Sequence, residues 1–386
     1  MRAGDLVRVA AVSLLVACQT SGGGKPQGTD CLHVEADRGP PGRTPVQAET
    51  VVEGLEVPWA LAFLPDGGIL VTERPGRLRL VRDGELLPTP VAEIPVESGP
   101  ESGLLGIVLD PDFSQNRFFY VALTAPGGNE NRIERWKLSE DGQSATFDRV
   151  VFGGIPAHRI HDGGRLKIGP DRKLYLSTGD AGQPDRSQRT DSPAGKLLRL
   201  ELDGSVPSDN PIPGSPVFLL GIRNAQGFDW LDPGTLVVSD HGPSGEFGRR
   251  GGDEVNVVKK GDNLGWPTVW RCERRDGLVA PILTWTRATP SAGVAIHRGG
   301  RISDWDGSVL LATLGSRHLH RIVLDDERRV RAHEVYFAGD PPEGLGRLRE
   351  AIMGPDGHLY LTTSNCDGRG RCPPEKDRIV RVVPVP

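Results

Sequence analysis

The stretch Ala60-Leu61-Ala62-Phe63-Leu64-Pro65-Asp66-Gly67-Gly68-Ile69-Leu70-Val71 places two apolar runs on either side of a Pro-Asp-Gly turn within twelve residues. Proline presets the first turn position, aspartate caps backbone N–H groups two residues on, and glycine takes the left-handed position. Together they spell a hairpin between two buried strands. Five more segments share this rhythm: Gly106–Leu123 around Pro111-Asp112, Arg165–Ser177 around Pro170-Asp171, Gly227–Ser239 around Asp232-Pro233-Gly234, Gly293–Thr313 around Asp304–Gly307, and Ala351–Thr363 around Pro355-Asp356-Gly357. The turn aspartates Asp66, Asp112, Asp171, Asp232, Asp306 and Asp356 are separated by 46, 59, 61, 74 and 50 residues. Each interval holds about four short strands, the size of a propeller blade, where a sandwich would turn every 8–12 residues.

The composition agrees. Gly (51) and Pro (33) are spread between short apolar runs of the 386-residue chain, as many turns joining many strands require. No long amphipathic helix separates the strands, which argues against a parallel α/β fold. The expectation is therefore an all-β, six-bladed β-propeller over residues 46–386, with an early strand around Thr50–Val57 completing the last blade. A net charge of −5 without a basic stripe argues against nucleic acid as a partner.

Residues 1–17 read as a signal peptide: Arg2 and Arg8 flank the charged start, and Val9–Ala17 is apolar but too short to span a bilayer. The run ends in Leu15-Val16-Ala17-Cys18, which looks like a bacterial lipobox, with an ordinary signal peptide as the plainer alternative. Residues 18–45 then read as lipid anchor and flexible tether, so the chain would be exported as a periplasmic or cell-surface lipoprotein, touching the membrane through a lipid on Cys18. Export permits disulfides among the remaining Cys31, Cys272, Cys366 and Cys372. Cys366 and Cys372 are near enough to staple one loop, which leaves Cys31 with Cys272 as a long-range possibility. Spacing alone does not prove either pairing.

Propellers bind ligands on loops over the central channel, and four loop constellations carry unusual residues. His161-Asp162-Gly163-Gly164-Arg165-Leu166 sets a histidine before a strand, where it could act as a general base or be a simple turn residue. Gly221-Ile222-Arg223-Asn224-Ala225-Gln226-Gly227 offers polar side chains suited to carbonyl or carboxylate oxygens, or is a polar loop. Ser239-Asp240-His241-Gly242-Pro243, with Gly251–Asn256 and Gly261–Pro267, is dense in carboxylates and exposed carbonyls, as a hard cation needs, though without EF-hand spacing. Arg347-Leu348-Arg349 puts two guanidiniums on one side of a strand, which suits a polyanion or a solvated edge.

Taken in order, these segments resemble the soluble glucose/sorbosone dehydrogenase family, particularly the aldose sugar dehydrogenases that use pyrroloquinoline quinone. The resemblance runs through Pro58–Phe63, Gly103–Gly106, His161–Leu166, Leu174–Asp180, Gly195–Leu200, Arg223–Gly227, Gly252–Asn256, Asn263–Pro267 and Arg347–Arg349. It implies PQQ- and Ca²⁺-dependent oxidation of an aldose sugar to a lactone, with an external electron acceptor. His161 matches the base that takes the proton of the anomeric hydroxyl, and Arg223 the group that polarises the quinone carbonyl. Asn224, Arg347 and Arg349 match cofactor contacts, and Gly242 and Pro243 match carbonyl ligands of Ca²⁺.

Several positions depart from the family pattern. Glu101 stands where a glutamine is usual, and His241 replaces a glutamine of some members; both fall among the cofactor-binding positions. Ile160 stands where an acidic residue precedes the base in some members, so His161 is expected to lack its orienting carboxylate. Gly315 replaces a cofactor-facing lysine, with Arg317 as a substitute that could reach inward, and Gly245–Arg250 lengthens the loop beside the metal positions. The alternatives are a propeller that has lost the cofactor and binds carbohydrate or protein, and a Ca²⁺-dependent lactonase.

Overall fold

The computed structural model describes residues 30–35 and 38–385, so the signal-peptide reading of residues 1–17 and the lipid-anchor reading of Cys18 lie outside the described residues. Six antiparallel sheets form the blades of a β-propeller. Their innermost strands are Pro58–Phe63, Leu104–Leu109, Leu166–Ile168, Ala225–Asp232, Ser291–Ile296 and Leu348–Met353. These strands pack around a common axis, and that of the sixth blade returns to touch that of the first.

The turn chemistry of the sequence is visible in the hairpins. Asp66, Asp171, Asp232 and Asp356 each accept a hydrogen bond from the backbone N–H two residues on, at 2.9–3.2 Å. Tyr175 and Tyr360 then donate their hydroxyls to Asp171 and Asp356, both at 2.9 Å, tying the second strand back to the turn. The second blade shifts this role by two residues: Asp110, not Asp112, caps the turn and accepts from Tyr120. The reason is a short helical turn, Phe113–Asn116, inserted between the strands. In the fifth blade Asp306 caps Gly299 across the loop at 2.8 Å.

The ring closes as the early strand implied. Val46–Leu55 pairs antiparallel with Asp377–Pro384 as the outermost strand of the last blade. Val52, Leu55, Leu61, Val71, Tyr360 and Ile379 share one buried cluster across the seam between the last and first blades. Phe63 meets Tyr360 edge to face there at 4.9 Å, a geometry that aromatic quadrupoles favour.

The tether reading over 18–45 gives way at Cys31. A disulfide joins Cys31 to Cys272, and Leu32–Val34 adds a parallel strand to Leu283–Trp285 of the fourth blade. Cys366 and Cys372 are also bonded and close a short loop at the edge of the candidate site. Among the described residues no helix is long and apolar enough to cross a membrane.

A buried ion pair crosses the central channel. Arg165 donates to Glu350 at 2.5 Å and to Gln226 O at 3.0 Å, and its guanidinium lies 4.3 Å from the Trp59 ring. Both charged side chains are at least 96% buried, so each depends on the other for compensation. Glu350→Ala should therefore destabilise the chain by about 3–5 kcal/mol, read by urea denaturation, because Arg165 would be left uncompensated.

Candidate active site

The site lies on the side of the ring where the innermost strands begin. A cavity of about 550 Å³ there is lined by Glu101, His161, Asp180, Arg223, Glu246 and Arg369, among others. These residues come from four of the six blades, so the site exists only once the ring is closed.

His161 sits in the loop before the third blade with φ = 62°, a left-handed conformation that histidine tolerates better than most residues. Its N–H donates to Glu101 Oε2 at 2.7 Å, and its carbonyl accepts from Ala181 N at 3.3 Å. Gly179 makes the turn possible, because a Cβ there would lie 2.0 Å from the His161 carbonyl oxygen. The ring Nδ1 lies 2.7 Å from Asp180 Oδ1. Asp180 is fully buried and further held by Trp266 Nε1 at 2.9 Å and Gly182 N at 2.8 Å. A carboxylate on Nδ1 fixes the proton there and leaves Nε2 as the acceptor. The expectation drawn from Ile160 is thus corrected: the orienting carboxylate comes from Asp180, nineteen residues on, at the end of the neighbouring strand.

Arg223 and Asn224 open the fourth blade. Asp240 clamps both backbone N–H groups, Arg223 at 2.8 Å and Asn224 at 2.6 Å. Asn224 is fully buried; its Oδ1 accepts from Gly163 N at 3.0 Å and its Nδ2 donates to Glu101 at 3.3 Å. Its amide therefore braces the histidine loop. The Arg223 guanidinium reaches the cavity, 5.6 Å from the Trp266 ring. Glu101 is an anion beside the base, as expected: burial pushes its carboxyl up, but the His161 N–H and the nearby His241 and Arg369 more than offset this and hold it below the usual range.

Burial pushes the Asp240 carboxyl up to about 6, against the bonds from Arg223 and Asn224. The folded chain thus binds a proton between about pH 4 and pH 6 that the unfolded chain does not, and this group's contribution to stability falls as pH rises through that window. Asp240→Asn should lack that slope. Urea melts at pH 4.5 and 7.5 should show the wild type losing about 2 kcal/mol relative to the variant.

Arg347 and Arg349, both about 95% buried, extend from the start of the sixth blade. Arg347 pairs with Asp367 at 2.6 Å, within the Cys366–Cys372 loop, and Arg349 donates to Gln226 Oε1 at 2.7 Å. Arg369 approaches Glu101 at 3.5 Å, and Arg74 donates to Pro100 O at 2.9 Å. The Nε atoms of Arg349 and Arg74 are buried and have no partner among the described residues.

The Gly242-Pro243 turn lies beside Arg223, around a small second cavity. Gly242 N donates to Asp253 at 3.2 Å, and Pro243 O accepts from Gly251 N at 3.1 Å. The His241 ring is turned to the Ser291 carbonyl, and burial pushes its pKa down. Arg317 pairs with Asp340 at 2.6 Å. A Cβ at Gly315 would approach the Pro290 ring to 2.9 Å, so a lysine does not fit there without displacing it.

Sequence reasoning missed Asp180, Trp266, Asp367 and Glu246 as parts of the site. Asp180 carried a usable signal: a buried-type strand, Leu174–Ser177, ends three residues before an acid. Glu246 was noticed only as added loop length.

Aldose sugar dehydrogenase YliI of Escherichia coli is 32% identical over 352 residues, covering 84% of this chain and 91% of that protein. Quinoprotein glucose dehydrogenase B of Acinetobacter calcoaceticus is 32% identical over 255 residues, 57% of this chain and 52% of that protein. The solved structure of the PQQ-bound form of aldose sugar dehydrogenase from Streptomyces coelicolor matches with a TM-score of 0.78 at 36% identity, covering 89% of this chain and 99% of that chain. The family model of Glucose / Sorbosone dehydrogenase matches residues 55–373, and the chain belongs to that family.

Proposed function

We propose that this protein is a PQQ-dependent aldose sugar dehydrogenase that oxidises the anomeric carbon of a sugar to a lactone. The observation that carries the reading is the His161–Asp180 pair at 2.7 Å, in the same cavity as Arg223. Bound pyrroloquinoline quinone supplies a two-electron acceptor for the hydride leaving C1, while the hydroxyl proton leaves separately and the lactone carbonyl forms.

The chain's own contribution is acid–base and electrostatic. His161 Nε2 accepts the hydroxyl proton, and Asp180, bonded to Nδ1, stabilises the resulting imidazolium. Arg223 offers positive charge where a carbonyl oxygen gains electron density. Arg347 and Arg349, two guanidiniums at the start of one blade, suit the carboxylates of the cofactor, which is anionic and planar. Glu101 and Asn224 border this space and act through the His161 loop, and His241 lies beneath Arg223, accepting its Nη1 on the backbone carbonyl at 3.3 Å.

Calcium would need a particular donor set here. Among the described residues no group of three His, Cys, Asp or Glu side chains could hold a metal. Asp240 and Asp253 are committed to backbone N–H groups. The ion would therefore draw on the carbonyl oxygens of Gly242 and Pro243 together with the cofactor, where it would act as a Lewis acid and template. Export through residues 1–17, a lipid on Cys18 and an external electron acceptor complete the proposal.

The test is dye-linked oxidation by purified protein given pyrroloquinoline quinone and Ca²⁺, with a panel of aldoses and detection of the lactone. Dye reduction that requires sugar, quinone and protein is the expected result. A protein that binds the quinone yet oxidises no aldose would overturn the reading.

A further inference from the structure

Arg223, the group aimed at the ligand's carbonyl, already has its Nε–Nη2 edge and one N–H of Nη1 engaged by the chain. Its Nε and Nη2 donate to Glu246 Oε1 at 3.1 and 2.5 Å, and its Nη1 donates to His241 O at 3.3 Å. The same Glu246 oxygen lies 4.0 Å from His161 Nε2, across the nitrogen that must meet the sugar hydroxyl. One carboxylate thus covers both working groups of the site. No ligand oxygen can take the Nε–Nη2 fork while Glu246 holds it.

The segment that carries Glu246 is held by a few polar contacts, the Glu246–Arg223 pair foremost and Arg249 beside Trp270 at 5.8 Å. A bridge between Ser244 and Arg250 closes its base, and Glu246 Oε2 accepts from Ser244 N at 2.6 Å. Gly245 and Gly248 have φ = 142° and 72°, with no atom within 4 Å of where a Cβ would sit. Phe247 between them is 65% exposed and reaches the edge of Trp266 at 6.1 Å. Lifting the loop would give up the Arg249 Nη1–Pro267 O bond of 3.0 Å and the Phe247–Trp266 contact, while the two glycines can absorb the change in φ.

We propose that Glu246 is a positioning residue that gates the quinone site: it holds Arg223 aimed over the cavity and is exchanged for the ligand's oxygen as the loop 244–250 lifts. The proposal rests on the quinone reading above. A gate closed about nine times in ten lowers apparent affinity about tenfold, because the binding-competent fraction divides the intrinsic dissociation constant. The carboxyl of Glu246 is desolvated in the loop, but Arg223 outweighs this and holds it below the usual range, so the latch stays charged at neutral pH.

The experiment follows tryptophan fluorescence in stopped flow as pyrroloquinoline quinone, with Ca²⁺, is mixed with wild type, Glu246→Ala and Glu246→Gln, each checked for wild-type melting behaviour. The expected result is association and affinity raised about tenfold in the alanine variant and by less in the glutamine variant, with dissociation little changed. Trypsin cleavage in the Arg249-Arg250 stretch should be faster in Glu246→Ala, and faster in wild type once the quinone is added. Equal rates and affinities in all three proteins would overturn the gate and leave the quinone reading standing, as would weaker binding by both variants. No binding by any of the three would overturn the quinone reading and the exchange with it.

Discussion

Replacing His161 by alanine should lower kcat by about 10²–10⁴-fold, the range for a lost general base. Affinity for the quinone should be nearly unchanged. The reasoning is geometric. Glu101 holds the backbone N–H of residue 161, not its side chain, and Gly179 lies against the same backbone, so the loop keeps its path when the imidazole is removed. The cationic wall of Arg347 and Arg349 lies on another blade and is untouched. Steady-state kinetics with a redox dye, alongside a quinone titration, separates the two effects. A variant that keeps most of its kcat would remove His161 from the mechanism, whereas one that loses quinone binding would make the loop, not the base, responsible.

Asp180→Asn tests the part of the site that sequence reading missed, and its expected loss is as large, about 10³–10⁴-fold in kcat. An amide can donate its N–H to His161 Nδ1, which moves the ring proton to Nε2 and deprives the base of its lone pair. The change is nearly isosteric: with the amide nitrogen facing His161, Trp266 Nε1 keeps its acceptor at the Oδ2 position, while Gly182 N, which shares Oδ1 with His161, loses its own. Sugar KM and quinone affinity should therefore stay within a few-fold of wild type, while the melting temperature falls slightly. If Asp180 were merely structural, kcat would track the loss of folded protein and Asp180→Glu would rescue nothing. If it orients the base, Asp180→Glu should recover part of kcat.

The fold was legible because each hairpin repeats one local chemistry. Asp66, Asp171, Asp232 and Asp356 cap their own turns, and such bonds are written in adjacent residues. Closure by Val46–Leu55 was also readable, since an extra strand before the first hairpin must pair somewhere, and the last blade lacks one. The site was legible only in part. His161, Arg223, Arg347 and Arg349 stand in recognisable strings, but their partners are set by the ring. The histidine is oriented by a residue three positions past the next strand of its own blade, not by the residue before it. Asn224 turned from an expected ligand contact into a brace because Gly163 N and Glu101, both from other loops, converge on its amide. Glu246 carried no signal at all until the loop's path over Arg223 was known.

The central claim is that this propeller holds pyrroloquinoline quinone, and melting temperature tests it most directly. The chain without its first 18 residues would be titrated with the quinone, with and without Ca²⁺. A ligand at about 100 times its dissociation constant adds about 2.7 kcal/mol to the native state, which a thermal melt resolves. The account predicts a quinone-dependent rise that is larger with Ca²⁺ and reduced when Arg347 and Arg349 are both replaced. A folded protein whose melting temperature does not move at saturating quinone would contradict it, and would favour a propeller that binds carbohydrate or protein without redox chemistry.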